Sequence, residues 1–244
     1  MPFTFAHPLF IWPIKYLKPK YISLTGLILG SMSPDFEYFI ALEPYQTIGH
    51  THMGLLLQAL PLSVILLLLL QVVMRPFSLH LPSVFDLDMK SIQLIRYFNY
   101  RSVMSWMVFL VSVVAGFYSH IFIDAFTHQS GYFVQQFSIL QSSFVGLPLY
   151  KWLQYSLGLV GLGVQFVVIV WIYSKTESAT RSTLVTSKQK LTYWLLVAII
   201  AVGVVVAKLT FTASSNMIGI LIVSSISGVI VGIIIASLLY RHHR

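Results

Sequence analysis

The sequence predicts an all-α protein, a polytopic membrane bundle of five transmembrane helices, or six if residues 21–42 also span, with a re-entrant or interfacial N-terminal helical segment. Three observations carry that prediction. Of the 244 residues, 57% are hydrophobic and 9% charged, with a mean hydropathy of +0.83, where a soluble domain carries roughly 25% charged residues. Five runs are nearly free of charge over about 20 residues, enough for a helix to cross roughly 30 Å of hydrocarbon. Trp152, Trp171, Tyr173, Trp194 and Tyr240 stand near the run ends, where amphipathic rings anchor at membrane interfaces. A soluble enzyme, a secreted disulfide scaffold and a disordered tail are thereby excluded.

The runs are Met53 to Val73, Val103 to Ala125, Trp152 to Tyr173, Leu191 to Phe211 and Met217 to Tyr240. The short polar link Thr212 to Asn216 makes the last two a helical hairpin, and the gap Ser174 to Ser187 is a plain connector. Lys208 lies near enough to the end of its run to snorkel. The stretch Tyr21 to Met32 differs, because Ser33-Pro34-Asp35-Phe36-Glu37 interrupts it after a dozen residues. A short apolar piece broken by Pro and two acids fits a re-entrant or buried segment better than a plain span. No repeat or low-complexity tract is visible.

The net charge of +8 is distributed in loops. Lys15, Lys18 and Lys20 lie near the start. Arg75, Lys90, Arg96 and Arg101, then Lys175, Arg181, Lys188 and Lys190, and finally Arg241 and Arg244 fall on one side of the spans, leaving Lys151 opposite. The positive-inside rule makes that richer side cytoplasmic, with the C-terminus. Membrane lipids are the expected partners, through anionic headgroups. Nucleic acid is not, since no aromatic-basic stripe or recognition helix accompanies the charge. No Cys is present, which removes disulfides and thiolate metal sites. The opening MPFTFAHPLFIWP lacks the basic start and plain apolar core of a cleavable signal.

Almost every His and acid precedes residue 130. Residues 1–135 are therefore read as a metal-site half and residues 136–244 as a scaffold half of one integrated membrane domain. Ionisable groups in or beside spans are costly and mark function by default. His50 and His52 (GHTHMG) stand at the start of the first span; His120 and Asp124 (SHIFIDAFTH) end the second, with His128 beyond; Asp35 and Glu37 lie in the Pro break. All share one membrane face, extracytoplasmic by the charge rule. His120, Asp124 and His128 fall at i, i+4 and i+8, one stripe if the helix continues. Imidazole and carboxylate without thiolate suit Zn²⁺, Mn²⁺ or Fe²⁺, and Ser119 and Thr127 are placed to orient such ligands. Each element also has a plain structural reading: His120 with Asp124 as an ion pair, Asp35 as a helix cap, His50 and His52 as a polar loop, His128 as a turn residue, Glu37 as solvated. His80, His242 and His243 are read as incidental.

The blocks MPFTFAHP, GSMSPDFEYF, GHTHMG and SHIFIDAFTH, over roughly residues 1–135, resemble bacterial membrane proteins of domain-of-unknown-function family 4184. That family is similar to membrane-bound metal-dependent hydrolases and, distantly, to the zinc-dependent phospholipase C and single-strand nuclease superfamily. The resemblance implies metal ligands at His7, Asp35, His52, His120 and Asp124, with His50 and His128 at less regular positions. Where the wider hydrolases often carry a further His, this chain has Tyr38, which implies fewer ions. A ligand at His7 requires residues 1–42 to form a helical pair on the outer face, followed by five spans.

The expected activity is that of a membrane-embedded hydrolase. A metal-bound hydroxide, with Asp35 as bridging ligand or base, would cleave a phosphoester of a lipid or lipid-linked substrate at the outer face. The alternative is a non-catalytic, metal-stabilised scaffold or a transporter. No H-E-x-x-H is present, and no inverted repeat favours the transporter.

Overall fold

Within hydrocarbon a chain must satisfy every backbone N–H and C=O inside its own segment, so charge-free runs fold as helices. The computed structural model describes residues 4–17, 19–178, 185–212 and 216–242. Residues 1–3, 179–184 and 213–215, with Lys18, His243 and Arg244, and the sequence readings placed on them, lie outside the described residues, as does Arg181.

Six helices organise the chain: α1 (Leu24–Met32), α2 (His52–His80, with a π-turn over Leu55–Ala59), α3 (Val103–Thr127), α4 (Leu149–Lys175), α5 (Ser187–Phe211) and α6 (Met217–Leu239). The last five are long and apolar enough to cross a membrane. The all-α polytopic bundle is as expected, and residues 21–42, where α1 gives way to a 3-10 turn at Ser33–Asp35 and a short helical piece at Phe36–Ala41, are not among those five. Polar caps fix the starts: Thr51 accepts from the Gly54 N–H, Ser102 from Ser105, and Thr186 forms a capping box with Gln189. Helix α2 runs on past Val73 with Pro76 inside it. The only sheet among the described residues is a two-stranded hairpin, Ser143–Phe144 with Leu147–Pro148, turning through Val145 and Gly146 at positive φ.

The chain divides into two compact units. The first takes in Met1–Phe36, Thr47–Val64 and Asn99–Ile169, and its organising contact is α1 on α3. A Cβ on Gly26 would lie 2.6 Å from the Phe109 carbonyl oxygen, one on Gly116 would lie 2.5 Å from that of Leu27, and one on Gly30 would strike the Val113 backbone. Glycines four apart on one helix, facing one on the other, let the two backbones touch, the packing that replaces hydrophobic driving force in lipid. Leu55, Ala59 and Phe117 form a small core beside this crossing. The N-terminal turns rest on α4, where Gly161 admits Ala6 and Gln165 Nε2 donates to the Phe5 carbonyl at 2.8 Å.

The second unit comprises Glu37–Gln46, Ile65–Phe98 and Val170–Arg244. Helices α5 and α6 close into a hairpin, with Gly228 against Ala201 and Gly232 against Val197. Tyr193, Val197 and Ala236 are its buried core. His80, read from sequence as incidental, is 1% exposed, stacks on Tyr193 at 4.5 Å and bonds the Pro76 carbonyl through Nδ1. The sequence shows only its apolar neighbours and not the aromatic pair supplied by distant helices. Lys208 meets Glu43 at 3.1 Å rather than simply reaching for an interface. Asp88 is buried and takes hydrogen bonds from Lys190, Ser83 and the Met89 N–H. Burial raises its pKa, but those three donors outweigh burial and hold it below the usual carboxylate value.

Two outcomes follow. Gly30→Ala should lower the detergent melting temperature by the equivalent of about 1–3 kcal/mol, the usual cost of overpacking, while Gly163→Ala, whose Cβ meets nothing within 4 Å, should not. Because the Asp88 pKa is depressed on folding, its ionisation stabilises above the unfolded carboxylate value of about 3.9 and the benefit fades as pH falls through the folded value. A pH series of melts should therefore show Asp88→Asn flattening the acid-side drop while losing about 1–3 kcal/mol near neutrality, because Lys190 loses its counter-charge and keeps the Leu81 carbonyl and Ser83 hydroxyl.

Candidate metal centre

Four separate pieces of the first unit converge on one cluster. His7 arrives on the N-terminal turn ahead of Pro8–Ile11, held against α4 by Gly161 and Gln165. Asp35 closes the Ser33–Asp35 turn that α1 leads into. His50 sits in the tight turn before α2, where Gly54 gives room for the Ile48 carbonyl to fold onto the first helical turn. His120 and Asp124 lie one turn apart on α3, and His128 follows just past its end. His7, Asp35 and His120 are buried at 3%, 4% and 0% exposure.

Asp124 is the hub. Its Oδ2 lies 3.1 Å from His120 Nε2 and 3.3 Å from His50 Nε2, and its Oδ1 lies 3.6 Å from His7 Nε2 and 3.3 Å from His128 Nδ1. Asp35 Oδ1 stands 3.6 Å from His50 Nε2 and 3.8 Å from His120 Nε2. Two groups of donors that could hold a metal ion result, His7–His120–Asp124 and Asp35–His50–His120, each with its atoms within 4.8 Å of one another. Ligands about 2.0–2.1 Å from a tetrahedral ion lie roughly 3.3–3.4 Å apart, a spacing that the 3.1–3.8 Å contacts of this cluster bracket, so a cation could be held here.

Hydrogen bonds around the cluster fix what each donor can offer. His120 Nδ1 lies 2.7 Å from the Ser31 carbonyl, which can only accept, so Nδ1 carries a proton, and Nε2, 3.1 Å from Asp124 Oδ2, is the nitrogen that would face an ion with its lone pair in the neutral ring. One lone pair serves one ion; a second ion would have to share Asp124 or Asp35, whose oxygens can bridge. Thr4 Oγ1 donates to Asp35 Oδ2 and orients the carboxylate. His7 stacks on His120 at 3.7 Å, and burial, then the neighbouring His120, push its pKa down to about 3. It is thus neutral at physiological pH, the form that ligates. Among the described residues His7 Nδ1 and His50 Nδ1 have no hydrogen-bond partner, and Asp124 Oδ1 has only the ion-pair contacts of His7 and His128. Two carboxylates among imidazoles with orphaned atoms form an arrangement that is costly unless protons or a cation compensate it.

A chain of polar contacts leads outward from Asp124. Lys151 Nζ donates to Gln154 Oε1 at 2.9 Å, which turns the amide nitrogen toward His128 Nε2 at 3.2 Å. His128 Nε2 then accepts, and its protonated Nδ1 faces Asp124 Oδ1 and Thr127 Oγ1. His128 in this state steers the carboxylate instead of offering it a ligand lone pair. An open cavity of about 440 Å³, lined by His128, Gln129, Ser130, Gln135, Tyr150 and Lys151, lies at this point.

The structure brings together His7, Asp35, His50, His120, Asp124 and His128. It does not bring His52 to them. His52 is exposed and bonds the Tyr118 hydroxyl through Nδ1 at 2.9 Å, because two residues further along the Thr51-capped start of α2 its side chain leaves the turn that aims His50. Thr127 bonds the Ile123 carbonyl and His128; Ser119 makes no side-chain hydrogen bond among the described residues. The model of the family described as Domain of unknown function (DUF4184) matches residues 1–238, taking in every donor of this centre. The chain belongs to that family. No curated protein and no solved structure matches it. In this DUF4184 member, sequence reasoning missed Thr4, Ser31, Gln154 and Gln165. The two glutamines left a signal: they are polar in an apolar run and eleven residues apart, three turns, and so on one face. Helix α4, read as scaffold, therefore serves the site.

Metal content of purified protein checks the donor set. His50→Ala and Asp124→Ala should each lose bound metal by at least tenfold in apparent affinity, while His52→Ala retains it. The reverse pattern for the two histidines would reject this assignment.

Proposed function

We propose that this protein is a membrane-embedded, metal-dependent hydrolase that cleaves a phosphoester of a lipid or lipid-linked substrate at the extracytoplasmic face. The observation that carries the reading is the convergence of two carboxylates and three imidazoles at ligand-to-ligand spacing. The open polar cavity beside His128, with Lys151 at its wall, supports access for an anionic substrate. The similarity of the sequence blocks to membrane-bound metal-dependent hydrolases and the phospholipase C and nuclease superfamily supports the same class, and the basic loops support the outward placement.

His7, His50, His120, Asp124 and Asp35 are the residues that would hold the cation, zinc by donor chemistry, with manganese or iron as alternatives. A bound divalent ion supplies an acidified water and positive charge for the developing anion. The chain supplies the rest. Asp35 would serve as a bridging ligand or as the base. As base, with Thr4 holding Oδ2, its Oδ1 would take the proton of the attacking water as the water oxygen bonds phosphorus and the P–O bond to the alcohol breaks, and would pass that proton to the departing alkoxide. Lys151 offsets the phosphate charge, and His128 keeps Asp124 aimed. The deep burial of His7 and His120 favours one competing reading, a metal that only braces the helices.

Elemental analysis and a panel of aryl and lipid phosphoesters separate the two. The wild type should carry one or two equivalents of metal and hydrolyse a panel member. Asp35→Asn should keep at least part of the metal and its melting temperature while losing about 10²–10⁴-fold in rate, the usual weight of a general base. Metal-loaded wild type that is inert across the panel, with Asp35→Asn failing to fold, would leave the bracing role. A folded wild type that takes up no metal would sink both.

A further inference from the structure

The second unit carries a separate pocket that the metal centre does not use. It has a volume of about 180 Å³ and lies where the end of α2 meets the end of α6. Its polar wall is Arg75, Arg241, Gln71, Tyr97 and Tyr240. Its apolar wall is Val72, Pro76 and Leu79, one side of the last turns of α2. The two helix ends are held together by His80, whose ring meets that of Tyr240 at 4.9 Å.

The donor balance of this pocket is one-sided. No acid lines it. The acids nearest in sequence are engaged elsewhere, Asp88 with Lys190 and Asp86 with Ser178. Gln71 accepts the Phe98 N–H at 2.8 Å through Oε1, and its amide nitrogen brings two further donors to the wall. Arg75 and Arg241 each bring five donors in a planar fork that matches a phosphate, and each is exposed. Tyr240 has its hydroxyl on Thr192, so it borders the pocket without adding a negative group. Two guanidinium groups and an amide N–H pair beside an apolar strip form a cradle for an anion that continues into hydrocarbon. The position fits as well: the last turns of one helix long and apolar enough to span and the residues just past another are where a membrane crossed by both would have its headgroups.

We infer that this pocket binds the phosphate of an anionic membrane lipid, with the apolar strip against the start of its acyl chains. The inference needs the membrane reading of the five helices but not the hydrolase or the metal centre. It predicts selectivity for a net negative headgroup over a zwitterionic one, because two guanidinium charges and no carboxylate line the site among the described residues.

The test uses the full-length protein in detergent, with phosphatidylglycerol, phosphatidylcholine and inorganic phosphate as separate additions, read by native mass spectrometry and by melting temperature. Phosphatidylglycerol should remain bound and raise the melting temperature by several degrees; phosphatidylcholine should not. Arg75→Gln/Arg241→Gln should weaken retention of phosphatidylglycerol at least tenfold, whereas Lys175→Gln/Lys188→Gln, exposed positions with the same charge change, should retain it. Equal loss in both double variants would overturn a defined site in favour of diffuse charge. An equal shift with inorganic phosphate, which displaces the lipid, would overturn the lipid source. If the first double variant does not fold, Arg75→Lys/Arg241→Lys replaces it: charge is kept and the fork lost, so retention should fall severalfold, and unchanged retention would reject the pocket. Metal content should be the same in all these variants.

Discussion

The crossing of α1 on α3 sets the conditions for everything in the first unit. Because Gly26, Gly30 and Gly116 carry no side chains, the backbones meet at atomic contact. That contact brings the Ser31 carbonyl to 2.7 Å from His120 Nδ1. A carbonyl at that place holds a proton on Nδ1 of a fully buried imidazole and aims its Nε2 at two carboxylates. A methyl group at any of these glycines would spread the helices and break this link before it touched a ligand. The short, broken N-terminal helix therefore works as a wedge that delivers Asp35 from its end and a hydrogen-bond acceptor from its last turn.

The cluster built on that crossing follows the logic of charge in a low-dielectric place. Two carboxylates cannot sit among neutral imidazoles without compensation, and His7 is kept neutral by burial and by its stacked neighbour. Either protons or a cation must supply the balance, and the spacings between donors bracket that of a coordination sphere. The outer contacts serve this arrangement. Thr4 orients Asp35, while Lys151, acting through Gln154 and His128, orients Asp124. Helix α4 reaches the site with polar side chains at both of its contact points, Gln154 toward His128 and Gln165 toward the His7 turn.

The second unit manages its polar groups differently. Asp88 with Lys190 and Glu43 with Lys208 neutralise one another in pairs, and His80 is absorbed into an aromatic stack. Once those pairs are made, Arg75 and Arg241 remain beside a pocket without an acid. Two guanidinium groups at one pocket whose lining holds no acid are a stronger pointer to a ligand than the loop charges counted along the sequence.

The sequence by itself determined the all-helical spanning architecture, since hydropathy and length leave a charge-free run one way to satisfy its backbone. It determined the pairing of His120 with Asp124 through the helical period, though not His128, which is extended past the helix end at Thr127, and it flagged Asp35 through the Pro break. It put His50 and His52 on equal terms, because a turn followed by a helix cap gives no period from which to read direction. The tertiary structure decided between them by folding the turn back under Gly54. Thr4 with Asp35, Ser31 with His120 and Asp88 with Lys190 join residues 31, 89 and 102 positions apart. Such pairs arise from helix crossings, which local propensity and spacing do not encode, and that is why the tautomers, the orienting contacts and the leftover arginines became visible only in three dimensions.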